Sequence, residues 1–222
     1  MSIQKNLYRI LKEIPDNILL VVVSKTQPID KIIEVYNLGH KIFGENKVQE
    51  MVQKYEQLPK DIQWHMIGHL QRNKVKYIVP FVSLIHSVDS TKLMEEIDKR
   101  AKKVGRVIDC LLEIQIAQEQ SKFGLSFEGA EKIFYKEIYQ NYSNINIRGF
   151  MGMATFTDDH AQIRREFRSL KKFFDKIKKT YLNSKKDFDL LSMGMSGDYK
   201  IAIEEGSNII RIGTSIFGQR IY

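Results

Sequence analysis

A chain of 222 residues with 43% hydrophobic and 28% charged side chains is an ordinary globular composition, able to bury a full core without staples. Its 13 glycines and 4 prolines leave no stretch for a long flexible linker, and the single cysteine, Cys110, excludes an internal disulfide and points to a reducing compartment. The formal net charge of +8 would suit a nucleic-acid partner, but the basic residues are spread along the chain without zinc-finger spacing or an RNA-recognition aromatic signature, and no run approaches the ~18–20 apolar residues that cross a bilayer.

The first segment, MSIQKNLYRILKEIPDN, reads as a helix. Ile3, Leu7, Ile10, Leu11 and Ile14 recur at helical spacing, and Pro15 ends it. It lacks the continuous apolar core of a signal peptide, so a cytoplasmic protein is expected. Strand-like and helix-like segments then alternate. The strand candidates are ILLVVV (18–23), HKIFGE (40–45), IQWHMIG (62–68), SLIHSV (83–88), VIDCLLEI (107–114), IRGFMGM (147–153), FDLLSM (188–193) and NIIRIG (208–213). They are short and several are apolar throughout, as strands buried on both faces are. Cys110, inside VIDCLLEI, reads as a small buried side chain.

The helical patterns between them have recognisable ends. Pro28 stands where a first-turn proline belongs, and Ile29, Ile32, Ile33 and Tyr36 form a stripe that Gly39 closes. Ser90 caps a helix whose Leu93, Ile97, Ala101 and Val104 face inward, with Gly105 after it. The densest basic run, KKFFDKIKK at 171–179, fits one amphipathic helix: Phe167, Leu170, Phe174, Ile177 and Tyr181 share a face and the lysines take the other. Asp198 or a neighbour starts a short helix that ends at Gly206. Eight strands with intervening helices predict a single (β/α)8 TIM barrel over residues 1–222, with an extra N-terminal helix. The alternative, an open doubly wound sheet, lacks its GxGxxG fingerprint after the first strand.

Barrel enzymes place chemistry at the C-terminal ends of strands and often bind phosphate after strands 7 and 8. Three features fall at such ends. Lys25 directly follows ILLVVVS; there it is either a solvated strand-end lysine or an amine that attacks an aldehyde. SMGMSGD (192–198) follows strand 7; it is either an ordinary helix cap or a small-residue anion cradle to which Ser196 adds a hydroxyl. RIGTSIFG (211–218) follows strand 8; Gly213 allows close backbone approach, and Thr214 caps the next turn or binds phosphate. Arg211 shares a strand face with Ile209, and if that face is the barrel interior it is a buried cation in need of a partner, an ion pair being the plain alternative. Together, an amine at strand 1 and a cradle at strands 7 and 8 call for a phosphorylated aldehyde, since strands 1 and 8 are neighbours in a closed barrel.

SKT at 24–26, FGEN at 43–46, WHMIGHLQRNK at 64–74, RGFMGM at 148–153, LSMGMSGD at 191–198, GSNIIRIGTSIFG at 206–218 and the terminal RIY resemble the pyridoxal-phosphate homeostasis proteins, in order, from about Leu19 to Tyr222. The resemblance implies the barrel of alanine racemase, known as fold type III, and pyridoxal 5′-phosphate (PLP) as cofactor. By motif, it makes Lys25 the Schiff-base lysine, gives the phosphate to Ser196 and Thr214 with the amides of Gly197 and Gly213, and sets Arg211 facing the pyridine nitrogen. A serine fifteen residues before an Arg-x-Gly, the racemase-type pattern, is met by Ser196 and Arg211. Asn46 and His65 are further candidate pocket residues; the alternatives are a cap on the helix from Lys47 and a hydrogen-bonded core position. His69, His86, Met66, Met151, Met153 and Met193 are assigned to loops and packing. No metal is expected, because no cluster has metal-ligand spacing.

The resemblance implies a non-catalytic carrier that holds PLP in vitamin B6 homeostasis and passes it to apo-enzymes that use PLP. The alternative is a PLP-dependent racemase or decarboxylase. Such enzymes add a C-terminal β-domain, for which nine residues after Gly213 leave no room. A nucleic-acid module rests on net charge alone and is not expected, nor is a membrane partner; the expected quaternary state is a monomer.

Overall fold

A computed structural model describes residues 2–118, 123–183 and 185–219. The RIY motif at 220–222 lies outside the described residues. Helix α1 (Ile3–Glu13) precedes eight strand–helix units. These are β1 (Leu19–Val23) and α2 (Ile29–Asn37), β2 (Ile42–Glu45) and α3 (Val48–Gln57), β3 (Gln63–Met66) and α4 (Val75–Ile78), and β4 (Leu84–Val88) and α5 (Thr91–Lys103). β5 (Ile108–Ile114) and α6 (Phe127–Tyr135), β6 (Ile145–Gly152) and α7 (His160–Tyr181), β7 (Leu190–Ser192) and α8 (Tyr199–Glu204), and β8 (Ile209–Ile212) and α9 (Thr214–Phe217) follow. Each strand pairs in parallel with the next, and β8 returns to β1 through Leu19↔Ile209, Val21↔Arg211 and their neighbours, closing the barrel.

The strands read as apolar throughout because each is buried on two different surfaces. Val21, Leu84, Leu111, Met151 and Ile209 pack together inside the barrel. The alternate positions, among them Leu20, Val22, Phe43, Trp64, Ile85, Cys110, Leu112 and Ile210, join the helical shell. Cys110 is fully buried, as its sequence context predicts, and burial pushes its thiol up. In α7, Phe167, Leu170, Phe173, Phe174 and Ile177 are buried, while Lys172, Lys176 and Lys179 are exposed. No helix among the described residues is long and apolar enough to cross a membrane.

Three details depart from the sequence reading. In α1, Leu11 is 40% exposed while Asn6 is buried, because the Asn6 side-chain amide donates to Ile216 O at 3.0 Å and turns that edge of the helix toward α9. Helix α9 has only four residues, and α1 packs against it and α2, completing the shell there. Val104 is exposed: it is the residue that closes α5, where the helical period no longer sets direction. Pro28 sits just outside α2, as its N-cap with φ −71° and ψ 160°, rather than inside the first turn.

Gly149 shapes the barrel. It has φ +153°, lies where the β5–β6 register shifts after Cys110, and a Cβ there would sit 1.7 Å from Leu190 O. Only glycine lets β6 approach β7 this closely.

Candidate functional site

Above the apolar interior layer, the C-terminal strand ends surround a cavity of ≈ 370 Å³. Lys25, Asn46, Ser196, Gly197, Arg211, Gly213 and Thr214 all line it. Thr155 and Asp158 from the loop after β6, and His160 at the start of α7, line it as well. Met153, Met195 and Phe156 also line it and are exposed.

Lys25 lies in a turn that leaves β1. Gln27 N–H donates to Ser24 O at 3.0 Å, so Lys25 and Thr26 are its two central residues. The loop after β7 is folded by Asp198, whose Oδ1 accepts Met195 N–H at 2.6 Å. The Asp198 carboxyl is shifted upward by burial, against the pull of that N–H and of Arg211. This leaves the backbone N–H groups of Ser196 and Gly197 without an acceptor among the described residues, and a Cβ on Gly197 would meet nothing within 4 Å. Ser196 Oγ accepts Ser215 N–H at 3.4 Å, joining the loops after β7 and β8. A Cβ on Gly213 would lie 3.0 Å from Val23 O, so the absent side chain is what seats the β8 loop against the end of β1.

Asn46 does not cap α3; Lys47 holds the N-cap position and no side chain bonds to that end. Instead Asn46 Oδ1 is buried without a hydrogen-bond partner while its residue lines the cavity. A buried acceptor left unsatisfied is costly, and a ligand donor is the kind of group that relieves it.

Arg211 is in the barrel interior, 4% exposed. Among the described residues it has no carboxylate within ion-pair distance, so the ion-pair alternative does not hold. Its Nη1 donates to Ser192 O at 3.0 Å and to Ser192 Oγ, and its Nη2 to Gly152 O at 3.1 Å. Burial pulls the guanidinium down to about 10, opposed by the charges of Asp198 and Glu113; it stays protonated at neutral pH.

His65 does not line the cavity. It is buried beneath it, with Nδ1 3.1 Å from His86 Nε2, and His86 Nδ1 is 3.0 Å from Ser192 Oγ. The expectation of a pocket role for His65 gives way to its alternative, a hydrogen-bonded core position. His86, assigned from sequence to packing, is the middle of this chain. Ser192 Oγ accepts from Arg211, which only donates, and the same oxygen meets His86 Nδ1, so the two imidazoles continue the hydrogen-bond chain that starts at Arg211. Burial pushes His65 down to about 3 and His86 well below the usual imidazole range, the Arg211 charge adding to the shift of His86. Both rings are neutral, and the chain braces Arg211 from behind. Ser192 and His86 escaped the sequence reading. The available signal was parity: each stands two residues after an interior leucine, Leu190 and Leu84, on the same strand face.

A second group missed by sequence lies behind the Lys25 turn. Lys54 Nζ donates to Ser24 O at 2.7 Å, Glu45 Oε1 at 2.7 Å and Glu50 Oε1 at 2.6 Å. Ser24 Oγ donates to Glu45 Oε1 at 2.6 Å, and Thr26 N–H to Glu50 Oε1 at 2.5 Å. Burial pushes the Glu45 carboxyl up to about 7 against the pull of Lys54 and the Ser24 hydroxyl.

Comparison with known proteins gives this geometry a family. Residues 1–221 match the family described as alanine racemase, N-terminal domain. The pyridoxal phosphate homeostasis protein of Aquifex aeolicus is 42% identical over 204 residues, 91% of this chain and 87% of that protein. The structure of PipY from Synechococcus elongatus PCC7942 with PLP bound superposes with a TM-score of 0.89 at 32% identity, covering 98% of this chain and 100% of that one. An alanine racemase from Clostridium difficile shares the fold alone, with a TM-score of 0.79 at 12% identity, and this chain covers 57% of its length. With a match along nearly its whole length and a relative at 42% identity, the chain belongs to the pyridoxal phosphate homeostasis protein family, built on the alanine racemase N-terminal barrel.

Proposed function

We propose that this protein holds PLP in the cavity as a Schiff base on Lys25 and serves vitamin B6 homeostasis without robust catalysis of its own. The observation that carries the reading is that one amine and two anion-binding loops line a single cavity, in a chain of this family. Bound there, PLP supplies an aldehyde that condenses with a primary amine, releasing one water, and a phosphate dianion that needs donors. The residues present fit that group. Lys25 provides the amine. The open N–H groups of Ser196 and Gly197, with the Ser196 and Thr214 hydroxyls, provide donors for the phosphate. The orphaned amide oxygen of Asn46 provides an acceptor for a ligand hydroxyl. Arg211 presents donors to the ring nitrogen and keeps that nitrogen unprotonated, because a guanidinium cannot accept.

Ser192 and Gly152 fix Arg211 in this role, but racemases share its Arg-x-Gly pattern, so the preference for a carrier over a racemase or decarboxylase rests on the homeostasis family to which the chain belongs. Apo-enzymes that use PLP are the recipients this reading names. Absorption spectra of the purified protein with PLP, followed by borohydride reduction and peptide mapping, test it. Label on Lys25, lost in Lys25→Ala, is expected. Label on another lysine, with Lys25→Ala keeping the full spectrum, or sustained amino-acid turnover at an enzyme-like rate, would overturn it.

A further inference from the structure

The turn that carries Lys25 holds an unfavourable backbone conformation. Thr26 has φ +63°, at the turn position that glycine or asparagine ordinarily fills. A β-branched residue stays there only when its surroundings force it. Those surroundings are the cluster of Glu45, Glu50 and Lys54. Glu45 ends β2, and Glu50 and Lys54 stand one turn apart on α3. Glu50 takes the N–H of Thr26, Lys54 takes the carbonyl of Ser24, and Glu45 takes the hydroxyl of Ser24. Both neighbours of Lys25 are thereby tied to one cluster.

None of the three lines the cavity. Lys54 and Glu45 have side chains 6% and 0% exposed, and Glu45 Oε2 is buried without a partner. Stability alone is a weak reason for such a group, since apolar residues of similar volume often serve a buried site as well or better. Strain beside a reactive residue, enforced by buried charge, has the form of a functional device.

We propose that Glu45, Glu50 and Lys54 are positioning residues that hold the Ser24–Gln27 turn so that the Lys25 amine points into the cavity for attack on an aldehyde. Relaxing Thr26 to negative φ turns the peptide between residues 25 and 26 and swings the Lys25 side chain off its line. The inference rests on the assignment of Lys25 made above.

The test uses the full chain with pyridoxal, which lacks the phosphate and so reads the amine separately from the phosphate loops. The rate of borohydride-trapped labelling at Lys25 is followed by peptide mapping in wild type, Glu50→Gln, Lys54→Met and Lys54→Arg. Thermal melting and binding of inorganic phosphate are measured alongside. Glu50 is partly exposed, so Glu50→Gln keeps the test available if Lys54→Met does not fold. Glu50→Gln and Lys54→Met are expected to slow Lys25 labelling by about tenfold or more, the equivalent of one charge-assisted hydrogen bond. Phosphate binding should hold within about twofold, and Lys54→Arg should recover most of the rate. Labelling of folded Glu50→Gln at the wild-type rate overturns the positioning role alone. Wild type with no preference for Lys25 overturns the assignment of Lys25 and this inference with it.

Discussion

Around the cavity, each polar side chain is placed by a different constraint. The Ser196 hydroxyl on the loop after β7 and the Thr214 hydroxyl at the start of α9 line one cavity, with Ser215 N–H joining the two segments, and the function proposed above gives them one anion to share. Hydrogen bonds to charged groups contribute about 1.5–3 kcal/mol each. Removing both hydroxyls should therefore weaken PLP binding by well over tenfold while leaving pyridoxal nearly unaffected; equal losses for the two ligands in calorimetric titration would contradict the phosphate role. Arg211 is fixed by two backbone carbonyls and one hydroxyl, so the direct test of its ring contact leaves the residue intact. Nitrogen NMR of ring-labelled PLP on the wild-type protein should show an unprotonated ring nitrogen at neutral pH, and a protonated one would mean that Arg211 does not touch it. Arg211→Glu would press a carboxylate against Ser192 O and Gly152 O. It should cost roughly 3–5 kcal/mol in stability, as an uncompensated buried charge does. Lys25 and the two loops were legible from the sequence because each is marked locally, by a strand end or a run of small residues. The chain that continues from Arg211 through Ser192 to His86 was not, because Ser192 and His86 are 106 positions apart.

At the scale of elements, the site depends on how closely strands can approach. β6 and β7 carry the cavity wall around Met153 and the loop around Ser196, and Gly149 sets their separation through Leu190. In Gly149→Ala the new methyl meets a backbone carbonyl at a distance no relaxation of side chains removes. The expected loss is about 4 kcal/mol or more, in the range that marks a specific steric cause. For a chain of this size that is a fall in melting temperature of roughly 10 °C or more. A melting curve within 3 °C of wild type, roughly one kcal/mol on the same scale, would show that the β6–β7 register can slip without cost. The strands themselves were readable as short apolar runs. The bulge was not, because a glycine in RGFMGM carries no sign of which backbone atom lies opposite it.

Across the whole molecule, closure is what makes a site out of loops at opposite ends of the sequence. Pairing of β1 with β8 puts the Lys25 turn beside Gly213 and Thr214. The same closure traps titratable groups in the barrel interior with opposite consequences for pH. Burial lifts the Glu113 carboxyl to about 7, with Asp89 adding to the shift and Arg211 opposing it. A carboxyl raised in the folded state supports stability below its unfolded value near 4.5, and that support is lost as pH rises toward 7. His65, lowered to about 3 from 6.5, supports stability above 6.5 and loses it as pH falls. Glu113→Gln should therefore gain on wild type by a few °C in melting temperature between pH 5 and pH 8, at about 2–4 °C per kcal/mol. A constant difference between the two proteins across that range would show that Glu113 is not held protonated by burial.

The sequence by itself determined the number and order of the strands, the closed α/β barrel and the elements that carry the amine and the two loops. These follow from hydrophobic period and from residue types at strand ends, both of which are local. Only the tertiary structure decided what lies behind them. The Arg211–Ser192–His86–His65 chain joins four strands across the barrel interior, and the Glu45–Glu50–Lys54 cluster joins β2 and α3 to the turn after β1. It also decided that Asn46 faces the cavity instead of capping α3. Which side chains meet in each case is set by strand register and barrel closure, and these bring together residues whose separation along the chain says nothing of their distance in space.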